Sequence, residues 1–510
     1  EALLPPSVTE STDIMRRPWH SQHGARWRWR SALGVFICAV LSSSPAPGMI
    51  PGSHMTRPES GPAGAPIAGR AAGTRPRGAT RSSGPKRPGR VQARAGRGRA
   101  GEASPALLTR KILEAKSPGD VLGIIHMHGG DFNEIHCRTC LHVLANKLTP
   151  SRKEAQSPLL RDLVDFTGYQ TSQMDPLSLA NLARSVALLQ PLMGEDVTKL
   201  MKSIAEESTA TLGKFTPRAL TNLAWSVARL QGKLPSAVNA HTLKLMDGIA
   251  EKALTVMDGF QDQDLSNLAW SLATLKLRNA MLMDAIAEQA LRIMDSFAQQ
   301  ALSNLVWSLA TLRVRNEVLM DAIAKRAVLI LHRFIPQHLS NIAWGFATLG
   351  VRNEALMNAI AERSVSVIRT FNHQNLGNLA WSYWRLGMHS PSLLQSVCAA
   401  LPTTARAPQR EDGNVFVWGV AIAAALEAGV ADKTVIAVAA SSLLRPGWLR
   451  KASDYGISCL FRSAERDNWR AEWPELYQAL RVEVERRRIT RAALDSDLMM
   501  DPPKWTASFG

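Results

Sequence analysis

The sequence predicts an all-α protein: an α-solenoid of stacked helical-pair repeats of about 37 residues, preceded by a disordered leader. Three observations predict it. Trp270, Trp307, Trp344, Trp381 and Trp418 stand 37 residues apart, Trp225 precedes them by 45, and Arg184 holds the same slot 41 residues earlier. Three residues before these slots stand Asn181, Asn222, Asn267, Asn304, Asn341 and Asn378, with Val415 in the last. Between the markers, apolar residues recur at steps of three and four, the period of a helix and not of a strand. Equal steps in this range mark a solenoid, whose units are too small to bury their own apolar stripe.

In chain order, residues 1–101 are expected to be an address and not part of the fold. Met15 is followed by Arg16, Arg17, Arg26, Arg28 and Arg30, then by an apolar run from Ala32 to Leu41 and a small-residue stretch. That is the order of a secretory signal, too short to span a bilayer. Residues 56–101 are rich in Arg, Gly, Ala, Ser and Pro, with Glu59 as the one acid, which is the composition of an organelle transit peptide. The two-part leader predicts delivery to a plastid (chloroplast). The alternative is a mitochondrial presequence, or a plain disordered tail behind a start at Met55. No other stretch approaches membrane-spanning length, so no membrane segment is expected in the mature form. The leader also carries most of the basicity. Residues 1–14 contribute −3, residues 15–55 +5 and residues 56–101 +10, which leaves +5 of the total +17 for residues 102–510. Net charge is therefore no argument for a nucleic-acid partner.

Residues 102–131 are expected to form an N-terminal cap, 132–465 about eight repeats, and 466–510 a C-terminal helical cap and tail. The first repeat is degraded: Phe132 is kept, but Cys137 and Cys140 stand in Leu slots and His142 in the Trp slot. In a regular unit the first helix carries Leu302, Leu305, Leu309 and Leu312, widened by Val306, Trp307 and Ala310. Asn316 then stands at an N-cap position with Glu317 in the first turn, and Leu319, Ile323, Ala327 and Leu331 make the buried stripe of a second helix. Asn279 and Asn353 hold the same cap position, and Phe215, Phe260, Phe297, Phe334 and Phe371 close the loops between units. Tyr455, 37 residues after Trp418, marks a final weak unit. Beyond it Trp469, Trp473 and Leu476 are expected to cover the last core, with the charged segment 483–488 facing water.

Five cysteines, an odd number, imply no disulfide framework and a reducing compartment. His126, His128, His136, Cys137, Cys140 and His142 form the densest set of potential metal ligands, and Cys-x-x-Cys invites zinc. Both cysteines, however, occupy Leu slots and no second pair follows, so packing in the core is the expectation, with no metal and no cofactor. There is no Gly-rich phosphate loop, His-Glu-x-x-His or nucleophile elbow, so an enzyme is not expected.

The string Leu-Ser-Asn-Leu-Val-Trp-Ser-Leu-Ala-Thr-Leu at 302–312, returning in phase, resembles the core of the octotricopeptide repeat, a helical-pair family of organelle RNA-binding proteins. The resemblance covers roughly residues 130–430. Where that family opens its second helix with a Pro-rich turn, this chain has Arg315-Asn316-Glu317. The resemblance implies sequence-selective binding of single-stranded organelle RNA, to stabilise, process or help translate a transcript, with other organelle gene-expression proteins as further partners. Two alternatives stand beside it: an armadillo- or HEAT-like protein scaffold, and an RNA-processing nuclease with its site in the tail.

A residue identical in six units distinguishes no base from another. The repeated Asn is therefore expected to tie helices together, and the Trp row to pack the core. The variable polar positions are the better candidates for recognition. Four residues before the Asn stand Arg218, Gln263, Gln300, Gln337 and Gln374; three before it stand Ala219, Asp264, Ala301, His338 and Asn375. Gln300, Asn304, Ser308 and Thr311 share one side of a helix, and stacked units would line such ridges along a concave surface. Arg278, Arg315 and Arg352, again 37 apart, fall in the turn between helices, where they could neutralise phosphates without reading sequence. The alternatives are a solvated ridge, and turn arginines that pair with Glu317 and Glu354.

Overall fold

A helix that is apolar on most of its circumference needs neighbours on most of its sides, and this chain supplies them by stacking. In the computed structural model, residues 105–404 and 454–490 are described, residue 467 apart, together with short helical stretches between 421 and 451. The leader, Trp418 and the side chain of Tyr455 lie outside the described residues. The described residues are all-α, with no strand among them, and no helix among them is long and apolar enough to cross a membrane.

The helices are α1 (Pro105–Glu114), α2 (Pro118–His128), α3 (Glu134–Asn146), the single turn α4 (Arg152–Ala155), α5 (Pro158–Gln170), α6 (Pro176–Met193), α7 (Asp196–Thr211), α8 (Pro217–Arg229) and α9 (Ser236–Thr255). They continue as α10 (Asp262–Leu275), α11 (Ala280–Arg292), α12 (Gln299–Leu312), α13 (Glu317–Leu329), α14 (Pro336–Leu349), α15 (Glu354–Val367), α16 (His373–Arg385) and α17 (Pro391–Thr404). Two rows result. The first helices α1, α3, α6, α8, α10, α12, α14 and α16 pack successively on one another; α2, α5, α7, α9, α11, α13, α15 and α17 do the same beside them. The first row is the more crowded along most of its length. Residues 105–128, expected as a cap, are themselves a helical pair in this register: α1 packs on α3, and α2 on α5.

Local chemistry sets each boundary. Asn279, Asn316 and Asn353 accept the backbone N–H of Leu282, Leu319 and Leu356 at 2.9–3.0 Å, the N-caps of α11, α13 and α15. At the other end of the first helices, the N–H groups of Leu277, Val314, Val351 and Met388 each reach back to the carbonyls of Leu272, Leu309, Phe346 and Tyr383 at 2.9 Å. This six-to-one closure needs a left-handed residue, and Lys276, Arg313, Gly350 and Gly387 supply it at φ 54–66°. A short 3-10 turn then leads into each closing Phe; Phe260 and Phe297 have no exposed surface.

Units dock through three devices. Leu265, Leu268, Leu302, Leu305, Leu339 and Ile342 are fully buried between helices, each such side chain contributing about 1.5–3 kcal/mol. A donor slot on the second helices, again with a 37-residue period, reaches the turn before: Gln289 to the Phe260 carbonyl, Arg326 to that of Phe297, and Arg363 to that of His332, all at 3.2 Å. The third device is steric. Ser226, Ser271, Ser308 and Ser382 occupy the position after the Trp slot and donate to the carbonyl four residues back. Gly345 takes that position on α14, because Val306 on α12 replaces the Ala that α8, α10, α14 and α16 carry before the Trp. A β-carbon at Gly345 would lie 2.2 Å from Val306 Cγ1.

After residue 447 the helices α18 (Trp448–Lys451), α19 (Asp454–Arg466), α20 (Trp469–Glu472) and α21 (Pro474–Arg487) pack on each other. Trp469 and Leu476 are buried as expected, Trp473 is half-buried against the same core, and Leu480 is buried with them. The segment 483–488 does not simply face water. Glu483 is 4% exposed and accepts from Arg486 and Arg487, and Arg487 also bonds Asp454 and the carbonyls of Leu449 and Arg450. The correction has a helical cause: Glu483 shares the inner face with Leu476 and Leu480, so burial forces it to find cations.

Gly345→Ser is expected to lower stability by about 2 kcal/mol through overpacking. Val306→Ala added to it should restore most of the loss, read as a double-mutant cycle of denaturation midpoints. In the cap, Arg486 hydrogen bonding holds the Glu483 carboxyl down at about 2. Its contribution is therefore complete above the ordinary carboxylate range and is lost as pH falls from about 4.5 towards 2. Melting curves of Glu483→Gln should lie below wild type at pH 7 and converge with it near pH 2.

Candidate functional site

On a first helix, positions at steps of four, three and four form one face. On α12 that face reads Gln300, Asn304, Trp307 and Thr311, grading from exposed through buried to half-buried. The Asn row ties helix to helix at one point, where Asn222 Nδ2 donates to Asn181 Oδ1 at 3.3 Å; Asn304, Asn341 and Asn378 are only 5–7% exposed, but Asn304 Oδ1, Asn341 Nδ2 and Asn378 Oδ1 have no hydrogen-bond partner among the described residues. The Trp row lies beside it. Trp225 and Trp270 have ring centroids 6.4 Å apart; Trp270, Trp344 and Trp381 are buried, while Trp225 and Trp307 are half-buried.

The variable positions separate into two groups. Arg218, Gln263 and Gln300 are exposed, and Gln337 and Gln374 half-buried, so the residue four before the Asn stays at the surface. The residue three before it is turned by about 100°, into the seam with the neighbouring helix. There Ala219 and Ala301 are buried, and Asn375 accepts a hydrogen bond from Ser340 at 3.1 Å. His338 sits edge-on to Phe334, and burial draws its pKa down to about 4, so it is neutral at pH 7. Asp264 is half-buried, caps its own helix through Gln261 N–H, and has its pKa raised by burial. Asp264, His338 and Asn375 thus serve the packing of the stack, and Asn375 in particular offers no open side chain.

The turn arginines are all exposed. Arg315 and Arg352 pair with Glu317 and Glu354, the latter at 3.0 Å; two residues after Arg278 stands Ala280, where α13 and α15 have those Glu residues. Sequence reasoning missed the stronger feature of this edge. Lys276 and Arg313 are held left-handed, a conformation that costs a residue with a β-carbon about 1 kcal/mol. Gly350 and Gly387 at the same slot were the available signal. Lys276 and Arg278 after α10 and Arg313 after α12 make this edge net basic, while Arg315 and Arg352 are balanced by Glu317 and Glu354, and the C-terminal ends of the helix dipoles lie at the same edge.

Cys137 and Cys140 are completely buried in the α3 core, burial pushing the Cys137 thiol up to about 12 and Cys140 upward as well. His136 is committed too. Its Nδ1 accepts from Asn133 N–H, and Nε2 reaches the Pro105 carbonyl on α1 at 3.0 Å. Among the described residues no group of three His, Cys, Asp or Glu is placed to hold a metal.

Over residues 236–401, from α9 into α17, the chain matches the family described as RNA-editing substrate-binding complex 6 protein. The match takes in less than half of the chain, and it carries a similarity to an RNA-associated helical protein. No curated protein matches the chain.

Replacing Lys276 and Arg313 together by Gly should relieve the left-handed strain and raise the melting temperature by about 2 °C. An unchanged or lowered melting temperature would show that these side chains stabilise the turns they strain.

Proposed function

We propose that this chain is a non-catalytic RNA-binding factor that holds an extended single strand along its first-helix row. The observation that carries the proposal is the basic edge: cations recur with the 37-residue period, two of them in a backbone conformation that glycine would adopt at lower cost. Selection against strain alone would place Gly at Lys276 and Arg313, as at Gly350 and Gly387. Helical layers stack about 8–10 Å apart, within reach of successive phosphates of an extended strand. Arg218, Gln263 and Gln300, exposed beside that path, are the residues from which base preference would come. The similarity of residues 236–401 to a family named for RNA-editing substrate binding supports the same class of ligand.

The finer statement, selective binding of an organelle transcript to stabilise, process or help translate it, follows from the octotricopeptide resemblance and the leader, with the plastid as destination and the mitochondrion as alternative. A scaffold role has its own support. Met281, Val318 and Leu329 on α11 and α13 are close to 70% exposed, a surface suited to a protein partner.

Fluorescence anisotropy with labelled single-stranded RNA tests the proposal. The logarithm of affinity should fall with the logarithm of salt at about −0.7 for each phosphate held. Converting Lys276, Arg278 and Arg313 together to Gln should weaken binding at least tenfold and flatten that slope by about 2. Salt-insensitive binding, or equal affinity for duplex, would refute it.

A further inference from the structure

Towards the N-terminus the Trp row gives way to an arginine and a histidine. Arg184 on α6 takes the slot that Trp225 holds on α8, and His142 takes it on α3. The Arg184 guanidinium lies 4.3 Å over the Trp225 ring centroid, and that of Arg229, one turn along α8, lies 5.4 Å from the same centroid. Cation–π attraction accounts for each contact singly. It does not account for two like charges brought to one indole in a half-buried place. Burial lowers the pKa of both guanidiniums, and the charge of Arg229 adds to the effect on Arg184. Lys233 feels Arg229 and extends the positive cluster on one side; burial, with Lys147, Arg138 and Arg184, lowers the pKa of His142, so that ring is neutral at pH 7 and adds no charge.

Among the described residues, no acid is among the charges that bear on Arg184, Arg229 or Lys233. Arg229 Nε is buried without a hydrogen-bond acceptor. By contrast, Arg292 pairs with Asp258, Arg315 with Glu317, Arg352 with Glu354 and Arg487 with Glu483. Two planar forks of N–H donors fixed on one ring match an oxyanion that accepts from both sides.

We propose that Arg184, Trp225 and Arg229 form a phosphate-binding site at which a single phosphate of the RNA strand is gripped by two guanidiniums. The proposal rests on the RNA-binding reading above. It makes this point the anchor of the strand, whereas along the edge of α10 and α12 each phosphate meets one cation.

The experiment uses the full chain and three variants: Arg184→Gln with Arg229→Gln, Arg184→Lys with Arg229→Lys, and Lys276→Gln with Arg313→Gln, each checked for an intact helical melt. With labelled single-stranded RNA, the paired Gln variant at 184 and 229 should lose at least tenfold in affinity while its salt slope flattens by only about 0.7, the value for one phosphate. The edge variant should flatten it by about 1.4, as two separate contacts do. The paired Lys variant should stay weakened, because the charge remains and the fork is gone. Wild-type affinity in the paired Gln variant would overturn the site; so would flattening by 1.4, which means two independent phosphates.

If wild-type protein binds no RNA, the general proposal fails, and the site is judged separately with inorganic pyrophosphate at fixed ionic strength. Quenching of Trp fluorescence in wild type and not in the paired Gln variant would sustain it; no difference would overturn it. Poly-glutamate competing as well as RNA at equal charge would also overturn it, and assign the cluster to an acidic protein segment.

Discussion

Docking of one helical pair on the next is the contact on which the rest of the molecule depends, because no pair covers its own apolar surface. On α12 Leu302, Leu305 and Leu309 leave no exposed area, yet the helix also buries Ala301, Ser303 and Val306 on flanks that only α10 and α14 can cover. Stability is therefore shared between neighbours, and a change in one unit has to be matched in the next. Val306 and Gly345 show this directly. An added γ-methyl pair on one helix is accommodated by a lost β-carbon on the next, and the period of the array survives the exchange.

The same dependence decides which side chains remain for a ligand. Small residues and the Asn row let first helices approach closely, and close approach draws the flanking positions into the seam. What stays outside is the position four before each Asn, the half-buried edges of the Trp row, and the turn where each first helix closes. At that turn, and again around Trp225, the chain carries charge where packing alone would not place it. Lys276 and Arg313 occupy left-handed backbone, and Arg184 and Arg229 crowd one indole with no acid among the described residues bearing on them. Local strain and unbalanced charge in an otherwise self-consistent array are the features on which the proposed RNA-binding surface rests.

Much of the fold was legible beforehand because it is written 37 residues at a time. The N-caps at Asn279, Asn316 and Asn353, the closing Phe residues, and the burial of Cys137 and Cys140 in Leu slots all follow from position within the repeat. The pair α1 and α2, within the expected N-terminal cap, lacks the Trp and Asn markers, so its place in the two rows shows only in its packing on α3 and α5. Segment 483–488 misled for a related reason. A run of charges reads as a wet face, but residue 483 falls on the same helical side as Leu476 and Leu480.

By itself the sequence determined the period, the two-helix unit and the side of each helix that must be apolar, since these depend on spacing along one chain. Tertiary structure decided what the spacing leaves open: that Asn375 turns into a seam while Gln300 does not, that Gln289, Arg326 and Arg363 clasp the preceding turn, and that Arg184 and Arg229 meet on Trp225. Each of these depends on the distance between residues some thirty to forty-five apart in sequence, and that distance exists only after neighbouring units have docked.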